Sequence, residues 1–329
     1  MGRRYRGRDG PSRRRARVTA AGHRWHTAPL PRTPGRSSAV AQLKLGLPKG
    51  SLQDATIDLF RKAGWKIRVH SRNYYPSSDD EELSCALVRA QEMARYVEDG
   101  TLDLGLTGLD WILENEAKVV EVADLVYSKA STKPARWVLA VAGDAPYRTI
   151  EDLRGKRIST ELVNFTRRYF AERGIEVEVE FSWGATEAKV VEGLVDGIVE
   201  ITETGTTIKA HGLRIIHELL VTNTKLIANP AAWEDPWRRR KIEQIALLLK
   251  AALAADGMVG LKLNVSEANL EAVVQLLPSL RAPTVAPLYK SDWYSVEAMA
   301  PEQAVRDLVP KLLAAGAEGI VEYPLTKMV

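Results

Sequence analysis

The chain has 329 residues, more than the roughly 250–300 at which a single hydrophobic core stops growing, so its length calls for two or three domains. Its hydrophobic (45%) and charged (27%) fractions are those of a folded globular protein and exclude a fibrous or wholly disordered chain. The net charge of +4 belongs to one end: residues 1–40 hold eleven arginines and one acid, Asp9, a balance of +10 that leaves the remainder at −6.

A mildly acidic body gives no electrostatic footprint for nucleic acid, and no nucleic-acid partner is expected. No run of 18 apolar residues occurs, so no membrane-spanning helix is expected either. The single cysteine, Cys85, excludes an intramolecular disulfide framework and fits a reducing compartment, which makes a cytoplasmic location the expectation. Within "ELSCALVRA" it reads as a buried small residue. Residues 1–40, rich in Arg, Pro, Gly and Ser without apolar periodicity, read as a disordered extension. They lack the apolar centre of a secretory signal; an organelle leader or a start assigned too far upstream would each give such a tail.

From Leu43 the text alternates. "LKLGLP" is strand-like, and "SLQDATIDLFRKAG" is a helix with Ser51 as candidate N-cap and Gly64 as its stop. "WKIRVH" and "ELSCALVRA" read as strands, "AQEMARYVEDG" as a helix, and "TLDLGLTGL" as a buried strand ending in small residues. A second α/β unit begins near Lys133, running through "ARWVLAVAG", "KRIST", "ELVNFTRRYFAERG", "IEVEVEFS", "TEAKVVEGLVDG" and "IVEIT". "LRIIHELL" and "TKLIANP" are two more strands, and "DPWRRRKIEQIALLLKAALAADG" is a long helix. The chain is therefore expected to leave one lobe (41–132), build another (133–223) and return to the first (224–255), with a ligand cleft between them. Residues 256–329 read β-α-β-β-α-β, the ferredoxin-like order, with Ser266 capping the first helix and Pro310 kinking or ending the second.

Three segments carry candidate chemistry. "EITETGTTIKAHG" follows a strand with Glu200 and Glu203, then turns through Thr204, Gly205, Thr206 and Thr207. Backbone N–H groups freed at a glycine turn, with threonine hydroxyls beside them, form an anion nest. The two carboxylates would repel a phosphate and suit sugar hydroxyls or a metal ion, so the segment fits a ribose phosphate; a hydroxyl-capped surface turn is the competing reading. "GLPKGSL" places Lys49 before Gly50-Ser51, the wrong order for a P-loop, and leaves either an anion-facing lysine or a solvated one. Gly105, Thr107 and Gly108 end a buried strand and leave room for a ligand against the backbone. Arg89 is either a phosphate partner or one half of an ion pair with Glu92. The histidines have no metal-ligand spacing, and no nucleophile–base set occurs.

"LGLPKGSL", "DGTLDLGLTGLD", "GKRIST", "GLVDGIVEITETGTTIKAHGL" and "APTVAPLY…WYSVEAM" occur in one order. That order resembles the ATP phosphoribosyltransferase family, the first enzymes of histidine biosynthesis, in the long form. The resemblance spans about residues 41–329. It implies an α/β fold: a two-lobed, periplasmic-binding-protein-like catalytic part plus a C-terminal ferredoxin-like regulatory domain. It implies transfer of the phosphoribosyl group of phosphoribosyl pyrophosphate to N1 of ATP, a Mg2+ requirement met through substrate phosphates and Glu200 or Glu203, and inhibition by histidine. A homo-oligomer, dimer or hexamer, is implied as well. By motif, Thr204, Gly205, Thr206 and Thr207 would hold the 5′-phosphate, Glu200 and Glu203 the ribose hydroxyls, and Lys49 and Arg89 pyrophosphate or ATP phosphates. Thr284, in "APTVAP", is the candidate effector residue. Two departures stand out: "VRAQEMARYV" lacks the Asp-Ile-Pro frequent after this arginine, and "EITETG" has Glu where Asp is frequent. A two-lobed binding protein without chemistry is the competing class.

Overall fold

A computed structural model describes residues 41–70, 74–127, 134–278 and 282–329. The expectations for residues 1–40 lie outside the described residues. In lobe I the chain runs β1 (Leu43–Lys49), α1 (Gln53–Ala63), β2 (Ile67–Arg68), β3 (Ser77–Ser78), β4 (Leu83–Arg89), α2 (Ala90–Glu98), β5 (Leu104–Gly108), α3 (Leu109–Asn115) and β6 (Val120–Leu125). Lobe II follows with β7 (Ala135–Ala142), β8 (Arg157–Thr160), α4 (Val163–Ala171), β9 (Glu178–Phe181), α5 (Thr186–Val191), β10 (Gly197–Thr202), α6 (Thr206–Ala210) and β11 (Leu213–Thr222). Then β12 (Thr224–Ala228), α7 (Pro230–Glu234) and α8 (Pro236–Ala254) complete lobe I.

The return is visible in the sheets. Lobe I has the strand order β4-β1-β5-β12-β6, with β12 inserted antiparallel between β5 and β6; lobe II has β11-β7-β10-β8-β9. Only Asn223 separates β11 of one sheet from β12 of the other. The core of lobe I is apolar on both sides of β1, whose Leu43, Leu45 and Leu47 are fully buried. Gly46 and Gly105 are register partners, and both open a slot for Met93 of α2: a Cβ there would lie 2.4 Å and 2.7 Å from its sulfur. Gly105 therefore serves helix packing and not a ligand, which corrects the sequence expectation.

Other local expectations also yield to packing. Ser51 does not cap α1; the helix starts after Leu52, in αR geometry, with no side-chain cap, although Gly64 ends it at φ +118° as expected. "WKIRVH" does not join the main sheet. Trp65 packs edge-on against Phe60 and donates Nε1 to Asp80 at 2.9 Å, and Ile67–Arg68 pair only with Ser77–Ser78. Lys241 of α8, 9% exposed, donates to Asp80 and Glu82 at 2.7 Å each, which locks this segment to the helix.

The third unit contains β13 (Met258–Ser266), α9 (Leu270–Leu276), β14 (Thr284–Pro287), β15 (Trp293–Pro301), α10 (Glu302–Ala314) and β16 (Ala317–Pro324). Its fully antiparallel sheet has the order β14-β15-β13-β16, the ferredoxin-like arrangement. Ser266 makes no side-chain cap. Helix α10 runs unbroken through Pro310, because that residue faces solvent while Val305, Leu308 and Leu312 pin the helix on the sheet. The unit is tied to lobe I by the Lys62–Asp256 pair at 2.8 Å and by Lys327 on the Lys62 carbonyl at the end of α1, at 3.2 Å.

Candidate active site

A cavity of about 370 Å³ lies between the lobes, within the range of small-molecule sites. Lobe I brings Lys49, Arg89, Gln91, Gly108 and Asp110 to its wall; lobe II brings Trp137, Glu161 and Glu203. Strand ends place most of them. β1 ends on Lys49, β4 on Arg89 and β5 on Gly108, all three parallel and side by side, so their C-terminal ends open into one crevice.

The two basic groups are held by aromatic rings. Lys49 Nζ sits 3.9 Å from the centroid of the Tyr74 ring; its hydrogen bond and its charge, with Arg89 adding to them, lower the Tyr74 phenol. Arg89 does not take up the alternative pair with Glu92 in the described contacts. Its guanidinium lies 5.4 Å from the ring centroid of Trp183, a residue of lobe II, so the contact spans the cleft. Trp183 is 60% exposed and flanked by Phe181.

Gly108 lines the cavity, but its bare Cα does more than admit a ligand. A Cβ there would come 1.9 Å from Asp110 Oδ1. The Asp110 carboxylate folds back over it, accepts from Trp111 N at 3.0 Å, and accepts from Trp137 Nε1 of lobe II at 2.8 Å. Burial raises its pKa, and the Trp137, Trp111 and Thr222 contacts work against that. Glu114 adds a second joint: its carboxylate accepts from Asn164 N and Phe165 N at the start of α4, at 3.0 and 2.8 Å. Asp110 and Glu114 of lobe I thus each accept hydrogen bonds from lobe II.

The Glu200–Gly212 segment has the expected turn and an unexpected division. Gly205, at φ +77°, precedes the single turn of α6; its N–H donates to Thr202 Oγ1 at 2.7 Å, and the Thr204 and Thr206 hydroxyls meet at 2.7 Å. Thr204, Thr206 and Thr207 are all exposed. Five helical residues give a negligible macrodipole, so any anion affinity here comes from turn N–H groups and hydroxyls. Alternation along β10 sends Glu203 to the cavity and Glu200 to the opposite face, beside Thr186 and Glu187 of α5. Burial pushes the Glu200 carboxyl up to about 7, despite a hydrogen bond from Ile201 N at 3.1 Å. Thr284 lies on the exposed edge strand β14, far from this cleft in the chain and on a separate sheet.

Sequence reading missed Asp110, Trp137, Gln91 and Glu161. Burial raises Glu161, opposed by a hydrogen-bonding contact with the Gln91 side chain across the cleft and reinforced by Asp110. The signal for Asp110 was present as an acid just after a small-residue strand end; the others become site residues only once the lobes face each other. Among the described residues no group of three His, Cys, Asp or Glu side chains could hold a metal, and no helix is long and apolar enough to cross a membrane.

Residues 89–251 match the protein family described as ATP phosphoribosyltransferase, and residues 255–327 match the family described as HisG, C-terminal domain. The ATP phosphoribosyltransferase of Solidesulfovibrio magneticus is 68% identical over 287 residues, covering 87% of this chain and 98% of the relative. That of Desulfatibacillum aliphaticivorans is 66% identical over 286 residues, with 87% and 98% covered. Among solved structures, an ATP phosphoribosyl transferase (HisG:HisZ) complex from Thermotoga maritima superposes with a TM-score of 0.55 at 28% identity, covering 64% of this chain and 99% of that one.

Proposed function

The chain belongs to the ATP phosphoribosyltransferase family, and from that premise we propose that its two lobes divide the substrates' phosphates between them. The reaction joins N1 of ATP to C1′ of phosphoribosyl pyrophosphate and releases pyrophosphate, the first step of histidine biosynthesis. The C1′–O bond breaks as N1–C1′ forms, so positive charge develops on the ribose and negative charge on the leaving group. N1 carries no proton, and no general base is required for the attack.

On this reading the turn Thr204, Gly205, Thr206 and Thr207 receives the 5′-phosphate. Glu203 from the cavity side and Glu200 from the α5 side accept from the ribose hydroxyls, and Lys49 and Arg89 receive the departing pyrophosphate or the ATP phosphates. Gly108 floors the cleft between them. The observation that carries the reading is the opposition of charge across one cavity, Lys49 and Arg89 from lobe I against Glu203 from lobe II, with the threonine turn beginning one residue beyond Glu203 and outside the cavity wall. Fixed charges of this kind stabilise a dissociating ribosyl group by positioning and electrostatics, without a nucleophilic side chain.

The family is consistent with a divalent metal, and we assign Mg2+ to that role. The donor set among the described residues fits an ion carried in by substrate phosphates with a single carboxylate, Glu203 on the cavity side or Glu200 on the other, and holds no protein cage. Such an ion would neutralise charge on the leaving pyrophosphate. Residues 256–329 are assigned a regulatory role with histidine as the effector, with Thr284 as a contact and assembly into dimers and hexamers as the switching element; a ligand acts there only if it binds the two assemblies differently. A cytoplasmic location follows from the biosynthetic role.

The test is pyrophosphate release by the full chain. Release requires ATP, phosphoribosyl pyrophosphate and Mg2+ together, and added histidine lowers the rate. No release with all three present returns the chain to the class of binding proteins, and a rate indifferent to histidine removes the regulatory assignment alone.

A further inference from the structure

An enzyme that uses N1 of adenine as its nucleophile cannot hold the base through N1, because a donor on that lone pair competes with the attack. Recognition must come through another edge. The N6/N7 edge pairs with a side-chain amide, whose nitrogen donates to N7 while its oxygen accepts from the 6-amino group. Among the described cavity-lining residues two carry an amide, Gln91 and Asn223. Asn223 gives one amide N–H to Asp124 Oδ1 of β6 at 3.3 Å on an exposed surface, which turns its amide towards lobe I.

Gln91 is differently placed. It lies in the first turn of α2, two residues beyond Arg89, on the cavity wall. Glu161 of lobe II lines the same cavity, close enough for its carboxylate to interact with the Gln91 side chain. A carboxylate only accepts, so it faces the amide nitrogen and fixes which way round the amide sits. With the amide nitrogen turned towards Glu161, an N–H and the carbonyl oxygen remain for a ligand in the cavity. Asp110, the other acid near Glu161, is occupied by Trp137 Nε1 and Trp111 N and leaves this arrangement undisturbed.

We propose that Gln91 reads the N6/N7 edge of the ATP adenine, leaving N1 free to attack, and that Glu161 acts as the positioning residue that orients its amide. The proposal rests on the reading that this cleft transfers a phosphoribosyl group to ATP. It deepens that reading by naming the base-specificity determinant.

The experiment compares kcat/KM for ATP and for 7-deaza-ATP, which lacks the N7 acceptor, in the full chain and in Gln91→Ala, Glu161→Gln and Asn223→Ala. Removing N7 also alters the intrinsic reactivity of N1, but that effect cancels when the ATP preference of the parent is divided by that of a variant. The quotient is expected to be at least about fivefold for Gln91→Ala, intermediate for Glu161→Gln, and near one for Asn223→Ala. If Gln91→Ala does not unfold cooperatively, Gln91→Met, which keeps the chain length, takes its place. A quotient within twofold of one for the Gln91 variant overturns the proposal, as does a large quotient for Asn223→Ala. Turnover of ATP with such a quotient sinks only the base reading, whereas no turnover of ATP by the parent removes the phosphoribosyl transfer beneath it as well.

Discussion

Thr107-Gly108-Leu109-Asp110 and Thr204-Gly205-Thr206-Thr207 each follow a buried strand, carry a glycine beside threonine, and lead into a short helix. Their atoms are spent differently. Thr107 is fully buried and donates its hydroxyl to the Ala90 carbonyl at 2.7 Å, and Gly108 is covered by the Asp110 carboxylate that reaches on to Trp137. Thr204, Thr206 and Thr207 keep their hydroxyls on the surface, and Gly205 sets a left-handed turn at φ +77°. The first segment is a joint between lobes; the second leaves its hydroxyls at the surface. A glycine–threonine strand end is a binding site only where packing has not already used its donors.

Substitution should separate the two along stability and affinity. Gly108→Ala drives a methyl group into the Asp110 carboxylate and strips a buried acceptor of its geometry. Overpacking and a disturbed buried hydrogen bond together should cost about 3 kcal/mol in denaturant unfolding. A loss below ~1 kcal/mol would mean that the Asp110 joint is not stressed by the added methyl. Gly205→Ala should cost less, about 1–2 kcal/mol from the left-handed backbone, and should weaken phosphoribosyl pyrophosphate more than ATP.

Glu200 offers a pH-dependent version of the same contrast. Its carboxyl is raised to about 7 by burial, so the folded state binds its proton more tightly than the unfolded chain does. That stabilising contribution is complete below pH about 4.5 and is lost as pH rises through about 7, an effect on the order of 3 kcal/mol. The ionised form is the better acceptor for a ribose hydroxyl, so kcat/KM for phosphoribosyl pyrophosphate should rise through the pH range in which stability falls. Glu200→Gln should flatten both profiles; a stability profile unchanged by the substitution would assign the titration to another group.

Much of the fold was legible because its signals are local. The strand–helix alternation, the Gly64 stop of α1 and the β-α-β-β-α-β order of the last unit follow from periodicity and turn chemistry. The failures share a cause in tertiary packing. Trp65 and its Asp80 partner pull "WKIRVH" off the main sheet, Pro310 is tolerated on a solvent face, and Gly105 answers to Met93. For the cleft, Lys49, Arg89, Gly108 and Glu203 were readable as residues at strand ends opening on one crevice. Trp137, Glu161 and Gln91 were not, because each becomes a cleft residue only where the lobes face each other, and the return of β12 that brings the lobes together leaves no mark in the local text; Asp110 left only the signal of an acid just after a strand end.

The most direct test of the division between the lobes is the pair of KM values in Thr206→Ala. Thr206 is exposed, and its hydroxyl meets only Thr204 among the described contacts, so the variant should fold with parent stability. If the threonine turn holds the 5′-phosphate, KM for phosphoribosyl pyrophosphate should rise about tenfold while KM for ATP stays within twofold, the loss of one charge-assisted hydrogen bond. Equal effects on both substrates, or none on phosphoribosyl pyrophosphate, would contradict the assignment of that phosphate to lobe II.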